Sequence, residues 1–97
     1  MKPVKPVQIT LIAKPGCHLC NDARATIARV RVKLAAKGIE TAFEELDILQ
    51  DPALARRHSE DIPVVQINGR RHAIWRVDSQ RFAAAVEKAA RPRLFSR

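Results

Sequence analysis

The spacing of apolar positions divides the first half of the chain into two long elements. A nearly continuous apolar run over residues 7–13 predicts a strand that is central in its sheet and covered on both faces. Apolar side chains then recur at steps of four, three and four, which predicts a helix from about residue 17 or 18 to residue 37. Gly38 is expected to end this helix in the left-handed conformation. The inward stripe of the helix would consist of Ala23, Ile27, Val30 and Leu34.

Shorter elements follow, separated by residues that favour turns. Residues 41–48 predict a second strand, and the glutamates within it indicate that it is not deeply buried. Asp51 followed by Pro52 is typical of a helix start, here of a short helix that ends near His58.

Asn68-Gly69 is a strong signal for a two-residue hairpin turn. It lies between predicted strands at 64–67 and 70–74. Asp78 is a suitable N-cap for a last helix over 79–90. The inward stripe of that helix would consist of Phe82, Ala85, Val86 and Ala89.

Taken in chain order, these elements predict an α/β fold of the type strand–helix–strand–helix–strand–strand–helix (βαβαββα). A right-handed crossover makes the first two strands parallel neighbours, and the hairpin adds two antiparallel strands. The expected result is a four-stranded mixed sheet with helices on both faces. A chain of 97 residues has room for one such core. We therefore assign 7–90 to the domain, 1–6 to an N-terminal extension and 91–97 to a basic, disordered tail.

The chain carries a formal net charge of +8, which favours anionic partners in general. Its Lys and Arg residues are spread along the whole sequence without a dense block among aromatics, so we expect no nucleic-acid partner. No run approaches the roughly 18 apolar residues of a membrane span. The segment before Cys17 contains no typical cleavage site. We therefore expect a cytoplasmic protein without membrane association.

Cys17 and Cys20 stand where the first strand is expected to meet the first helix. In a reducing cytoplasm, two cysteines at this spacing are catalytic or metal-binding rather than a structural cross-link. A helix N-terminus offers unpaired N–H groups and partial positive charge, which stabilise a thiolate. Cys20 lies one turn further on the same side, within reach of a disulfide. We expect Cys17 to attack a substrate disulfide and Cys20 to resolve the mixed disulfide, while His18 adds positive charge or a hydrogen bond.

Three other interpretations of the cysteine pair stay open. Cysteines buried in a core turn would be inert. A closed zinc site needs four ligands, and the three histidines are not spaced to complete one with the cysteines. An iron–sulfur cluster would require a dimer or external thiols.

Residues 9–20, ITLIAKPGCHLC, resemble the opening of glutaredoxins and of their small glutaredoxin-like bacterial relatives. The segment DIPVV at 61–65 resembles the cis-proline loop of that family, and Asn68-Gly69 matches its hairpin. The resemblance extends from about residue 7 to residue 90. It implies a thioredoxin-like fold of the glutaredoxin type.

The resemblance also implies a set of site residues. A cis peptide bond between Ile62 and Pro63 would face the Cys17 sulfur, and the Ile62 backbone would pair with glutathione or an extended peptide. Glutathione carboxylates would meet Lys14 and the start of the last helix. The residues at that helix start are Val77, Asp78 and Ser79.

Two segments depart from the family pattern. His18-Leu19 stands between the cysteines where typical glutaredoxins carry an aromatic residue. The segment IWRV at 74–77 stands where they carry a Gly-Gly pair, so side chains there could obstruct the glutathione groove. Arg76 could replace lost contacts to a carboxylate.

The expected function is that of a glutaredoxin-like thiol–disulfide oxidoreductase, which carries electrons for cell redox homeostasis. It would reduce protein disulfides or glutathione mixed disulfides as a monomer. It would hold no tightly bound cofactor and no resident metal, and glutathione, a reductase or another thiol would supply electrons. The alternative is a non-catalytic binding module, or a metal or iron–sulfur carrier, that uses the same cysteines.

Other conspicuous side chains have structural interpretations. Trp75 is expected to pack in the core or at an edge rather than to line a groove. His58 and His72 are expected at the surface. Asp22 is expected in the first turn of the first helix, where it would complement the helix dipole.

Overall fold

The computed structural model describes residues 5–91, so most of the predicted N-terminal extension and basic tail lies outside the described residues. The strands are β1 (Val7–Ala13), β2 (Thr41–Asp47), β3 (Val64–Ile67) and β4 (Arg70–Ile74). The helices are α1 (His18–Ala36), α2 (Pro52–His58) and α3 (Ser79–Ala90). A short 3₁₀ helix (Ile48–Gln50), which was not predicted, connects β2 to α2. No helix within residues 5–91 is long and apolar enough to cross a membrane.

The four strands form one mixed sheet in the order β2-β1-β3-β4. β1 is parallel to β2 and antiparallel to β3, and β4 is antiparallel to β3. The predicted topology is therefore confirmed. Glu44 and Glu45 are exposed on β2, which is an edge strand, as the two glutamates indicated.

Helices cover both faces of the sheet. On one face, α1 and α3 pack against β1 and β3. The buried residues of this larger core are Val7, Ile9, Leu11, Ala13, Cys20, Ala23, Ile27, Val30, Leu34, Val65, Ile67, Phe82 and Val86. On the opposite face, α2 covers a smaller core built on Ile12, Ile48 and Val64. The predicted stripe of α1 is buried throughout, whereas in α3 Ala89 is exposed, so its assignment to the inward stripe was wrong.

The predicted caps and turns are present. The Asp51 carboxylate accepts hydrogen bonds from two amides in the first turn of α2, and the Asp78 carboxylate accepts one from Arg81. Asn68 and Gly69 both have positive φ, as the hairpin turn requires. Gly38, with φ of 85°, follows α1 as expected.

Neither His58 nor His72 lies fully at the surface, which corrects that expectation. The side chain of His58 is 13% exposed, and its Nδ1 lies 3.9 Å from a carboxylate oxygen of Asp61. His72 is the extra residue at an irregularity of the β3–β4 pairing, and its ring packs 5.8 Å from the ring of Phe82. Because this irregularity breaks the simple alternation of faces, the sequence pattern did not place the His72 side chain correctly.

Candidate active site

Cys17 is the N-cap of α1, with extended backbone ahead of the first helical turn. Its sulfur accepts a hydrogen bond of 3.2 Å from the backbone amide of Cys20. The two sulfurs form a disulfide, and the Cα atoms lie 5.1 Å apart, within the usual range for such a bond. The pair that was predicted to lie within bonding range does so.

The two cysteines differ in exposure. Cys20 is 0% exposed and belongs to the larger core, whereas Cys17 is partly buried and packs against the edge of that core. Gly16, just before Cys17, has φ of 74° and is exposed. This conformation is one that glycine adopts without strain, and it leads the chain from β1 into the helix start. Cys17 is therefore partly accessible to solvent, whereas Cys20 is enclosed in the core.

Residues 60–63, which we call the proline loop, lead into β3. The peptide bond between Ile62 and Pro63 is cis, as the family resemblance implied. Pro63 is fully buried, and Ile62 is partly buried with contacts to the cores on both faces of the sheet. The pairing of the Ile62 backbone with a substrate stays a prediction.

A groove of about 320 Å³ lies between α1 and the connection from β4 to α3. The residues that line it are Leu19, Asp22, Ala23, Thr26, Trp75, Arg76, Val77 and Asp78. Of the predicted binding residues, Val77 and Asp78 belong to this lining. Lys14 and Ser79 are exposed residues that lie outside it. Trp75, Arg76 and Val77 thus form one wall of an open groove.

Trp75 corrects a further expectation, because it is 52% exposed and lines the groove instead of packing in the core. Its indole Nε1–H donates a hydrogen bond of 3.1 Å to the carbonyl oxygen of Glu60 in the proline loop. Its backbone N–H donates to the carbonyl oxygen of Pro63 at 2.8 Å. A side chain that was predicted to be structural therefore joins the groove to the proline loop.

The α1 wall of the groove was not predicted as a site. Leu19, Asp22, Ala23 and Thr26 follow the helical spacing of three, four and seven residues, which places them along one stripe. This spacing was visible in the sequence. The neighbouring stripe of large apolar residues is the stronger signal and masks it.

Charges around the groove are mixed. Asp22 and Asp78 are acidic, and Arg76 is basic. Asp22 is the fifth residue of α1, and the first turn of that helix holds no acidic residue, so its predicted place in the first turn was wrong. The dipole at the start of α1 is therefore not offset by a carboxylate within its first turn. In the part of the chain that the structure describes, no three His, Cys, Asp or Glu side chains are grouped to hold a metal ion.

A four-stranded mixed sheet between helices, with a cysteine pair at the start of the first helix, defines a thioredoxin-fold protein, and the pair indicates a redox function. Residues 8–87 match the family model of the glutaredoxin-like domain (DUF836). The chain therefore belongs to the glutaredoxin-like domain family within the thioredoxin superfamily.

Relatives and solved structures agree with this assignment. Uncharacterized proteins of Mycobacterium tuberculosis and Mycobacterium bovis are 29% identical over 89 residues, covering 84% of this chain and 84% of each relative. The X-ray structure of structural genomics target protein XcR50 from X. campestris is 28% identical, with a TM-score of 0.66 over 82% of this chain and 96% of that one. A thioredoxin-2 described as a component of malaria parasite protein secretion machinery is 18% identical, with a TM-score of 0.64 over 86% and 82% of the two chains, and supports the fold alone.

Proposed function

We propose that this protein is a dithiol oxidoreductase of the glutaredoxin type, which reduces protein disulfides or mixed disulfides of glutathione. The observation that carries the proposal is the unequal exposure of two bonded cysteines. Cys17 is partly exposed at the N-cap of α1, whereas Cys20 is 0% exposed. A substrate disulfide can reach the first sulfur but not the second. The buried sulfur is placed to react with Cys17.

The proposed reaction begins with a thiolate at Cys17, which attacks one sulfur of the substrate disulfide. The substrate S–S bond breaks as the bond to Cys17 forms, and the other substrate sulfur leaves as a thiolate. Cys20 then loses its proton to solvent and attacks the Cys17 sulfur, which closes the intramolecular disulfide and releases the second substrate thiolate. Two electrons have passed to the substrate, and both product thiolates take up protons from solvent. Glutathione or the dithiol of a reductase returns two electrons to the protein.

Single cysteine variants test these roles. Cys17→Ser is expected to abolish reduction of a model disulfide. Cys20→Ser is expected to accumulate a mixed disulfide, seen by mass spectrometry as protein plus one substrate half. The chain has two cysteines in all, so an adduct on Cys20→Ser must be at Cys17. A Cys17→Ser protein with the wild-type reductase rate would falsify the proposed function.

Three neighbouring features support a substrate site beside the cysteines. His18 is the exposed first residue of α1 and would add positive charge or a hydrogen bond next to Cys17. The backbone of Ile62, ahead of Pro63, would pair with an extended peptide. The amides at the start of α3 suit a carboxylate. In this assignment Val77, Asp78 and Ser79 at that helix start bind a carboxylate of the substrate.

Lys14 would bind a glutathione carboxylate, because it is exposed directly after β1 and three residues before Cys17. Lys14→Ala is expected to raise the KM for glutathione several-fold with little change in kcat. Lys33→Ala, at an exposed position in the last turn of α1, is the matched control and should leave KM unchanged. Equal KM values for both variants would show that Lys14 does not bind glutathione.

The proposed setting is a monomer in a reducing cytoplasm, without a tightly bound cofactor. A metal or cluster carrier would need further ligands from a second chain or from external thiols, because no three His, Cys, Asp or Glu side chains within residues 5–91 are grouped to hold a metal ion. Visible absorbance and zinc content of freshly purified protein distinguish the two functions. Stoichiometric metal that is lost in Cys17→Ser would support the carrier instead.

A further inference from the structure

Trp75 has an unusual backbone for its size. It directly follows β4 with φ of 68°, in the left-handed region that bulky side chains rarely adopt. Its side chain is nevertheless 52% exposed, so core packing does not explain a tryptophan at this position. Strained conformations of this kind persist where surrounding contacts hold them, and they concentrate at functional sites.

Two hydrogen bonds attach Trp75 to both ends of the proline loop. Its backbone N–H binds the carbonyl oxygen of Pro63 at 2.8 Å, and its indole N–H binds the carbonyl oxygen of Glu60 at 3.1 Å. Ile62 lies between these two anchor points. Trp75 therefore sets the position of the backbone at which an extended substrate is proposed to pair.

Trp75 is also the largest apolar group in the wall of the groove. Leu19, which stands between the two cysteines, and Val77 add further apolar surface. A volume of about 320 Å³ accommodates a side chain with adjoining backbone. An exposed indole gains most from a partner that covers it with an apolar or aromatic group.

We propose that Trp75 determines substrate specificity, selecting extended polypeptides that carry an apolar or aromatic side chain next to the reacting cysteine. The substrate main chain pairs at the proline loop, while the neighbouring side chain enters the groove and covers the indole. Small hydrophilic disulfides lack the group that would make this contact. The inference rests on the proposed dithiol function and names the substrate class of that site.

Fluorescence provides a test that is independent of turnover. Trp75 is the sole tryptophan, and the chain has no tyrosine, so tryptophan emission reports this residue alone. Cys20→Ser is converted to mixed disulfides with two peptides of equal length and charge, one with Phe and one with Ser beside the cysteine. The Phe peptide is expected to shift the emission to shorter wavelength and reduce quenching by acrylamide. Identical spectra for the two adducts would overturn the specificity role.

Turnover of the same two peptides, each as a disulfide with a small thiol, provides the second test. Wild-type protein is expected to favour the Phe peptide about tenfold in kcat/KM, mainly through KM. Trp75→Gly removes the indole and tolerates positive φ, so the preference should fall close to one, whereas Trp75→Phe should retain part of it. Val32→Ser alters a 72% exposed apolar residue outside the groove lining and should keep the wild-type preference.

The two tests separate the possible failures. If Cys20→Ser forms no adduct with either peptide, the dithiol function itself is wrong. If adducts form but wild type shows no preference between the peptides, or Trp75→Gly keeps the full preference, the function stands and the role of Trp75 is refuted. If Trp75→Gly does not fold, the role of Trp75 is still tested by two measurements. These are the ratio of kcat/KM for the two peptides in Trp75→Phe and the fluorescence of the two adducts.

Discussion

The backbone amide of Cys20 donates a hydrogen bond of 3.2 Å to the sulfur of Cys17, the atom with which the Cys20 sulfur also forms a disulfide. One helical turn therefore provides both the resolving thiol and a donor for the attacking sulfur. After reduction, the same amide and the helix dipole favour a thiolate over a thiol.

This relationship predicts the acidity of the reactive group. In reduced Cys20→Ser protein, the alkylation rate of Cys17 should reach half its maximum at a pH below about 8.5, the value for an unperturbed cysteine. The measurement is the rate of iodoacetamide labelling against pH. The same variant in denaturant is the control and should titrate as a free thiol. Coincident folded and denatured profiles would show that the helix start does not stabilise the thiolate.

Substitutions of Gly16 and Gly38 distinguish an effect on the geometry of the active site from an effect on stability. Both have positive φ and open space where a Cβ would lie, so Gly→Ala at either position introduces backbone strain of about 1–2 kcal/mol. Urea unfolding should show similar losses of stability in both variants. Only Gly16→Ala should also slow alkylation of Cys17, because Gly16 directly precedes it while Gly38 follows the far end of α1. Equal alkylation rates in the two variants would contradict a positioning role for Gly16.

Asp78 and Asp51 are both helix N-caps, but only Asp78 lines the groove. Replacement of either by Ala removes a side-chain acceptor and should cost about 0.5–2 kcal/mol of unfolding free energy. Asp78→Ala should also change the KM for a peptide disulfide, whereas Asp51→Ala should not. Unchanged KM in Asp78→Ala would limit that residue to helix capping.

His72 predicts a pH dependence of stability. Burial, reinforced by the positive charge of Arg81, lowers the pKa of His72 below 6.5 in the folded protein. The unfolded chain therefore takes up this proton first as the pH falls below about 6.5, and the folded state loses stability until its own pKa is passed. Above about pH 6.5, the titration of His72 no longer makes stability depend on pH.

His72→Phe should remove this contribution while it retains a ring against Phe82. Urea unfolding of wild type and variant between pH 7.5 and 5.5 measures it, since protonation of carboxylates is common to both proteins. We expect the stability of wild type relative to His72→Phe to decline on acidification. A constant difference would show that His72 does not contribute.

Much of the architecture could be predicted because local signals and burial agree. The apolar stripe of α1, the Asp51 and Asp78 caps and the Asn68-Gly69 turn each depend on residues close in sequence, and each occurs as predicted. The cysteine pair was found in the same way, since its spacing and its place at a strand–helix junction are local features. The predicted burial of His72 and Ala89 was wrong. It depends on the irregular β3–β4 pairing and on the orientation of α3, which local periodicity does not specify.

Local patterns in the sequence were enough to predict the order of elements and the position of the Cys17–Cys20 pair, because hydrophobic period, caps and cysteine spacing act over a few residues. Long-range packing decided which residues line the groove and how Trp75 connects it to the proline loop. Those properties arise where α1, the proline loop and the β4–α3 connection meet, and these segments are far apart along the chain. Their packing depends on the two cores on opposite faces of the sheet. No single segment of the sequence specifies that packing.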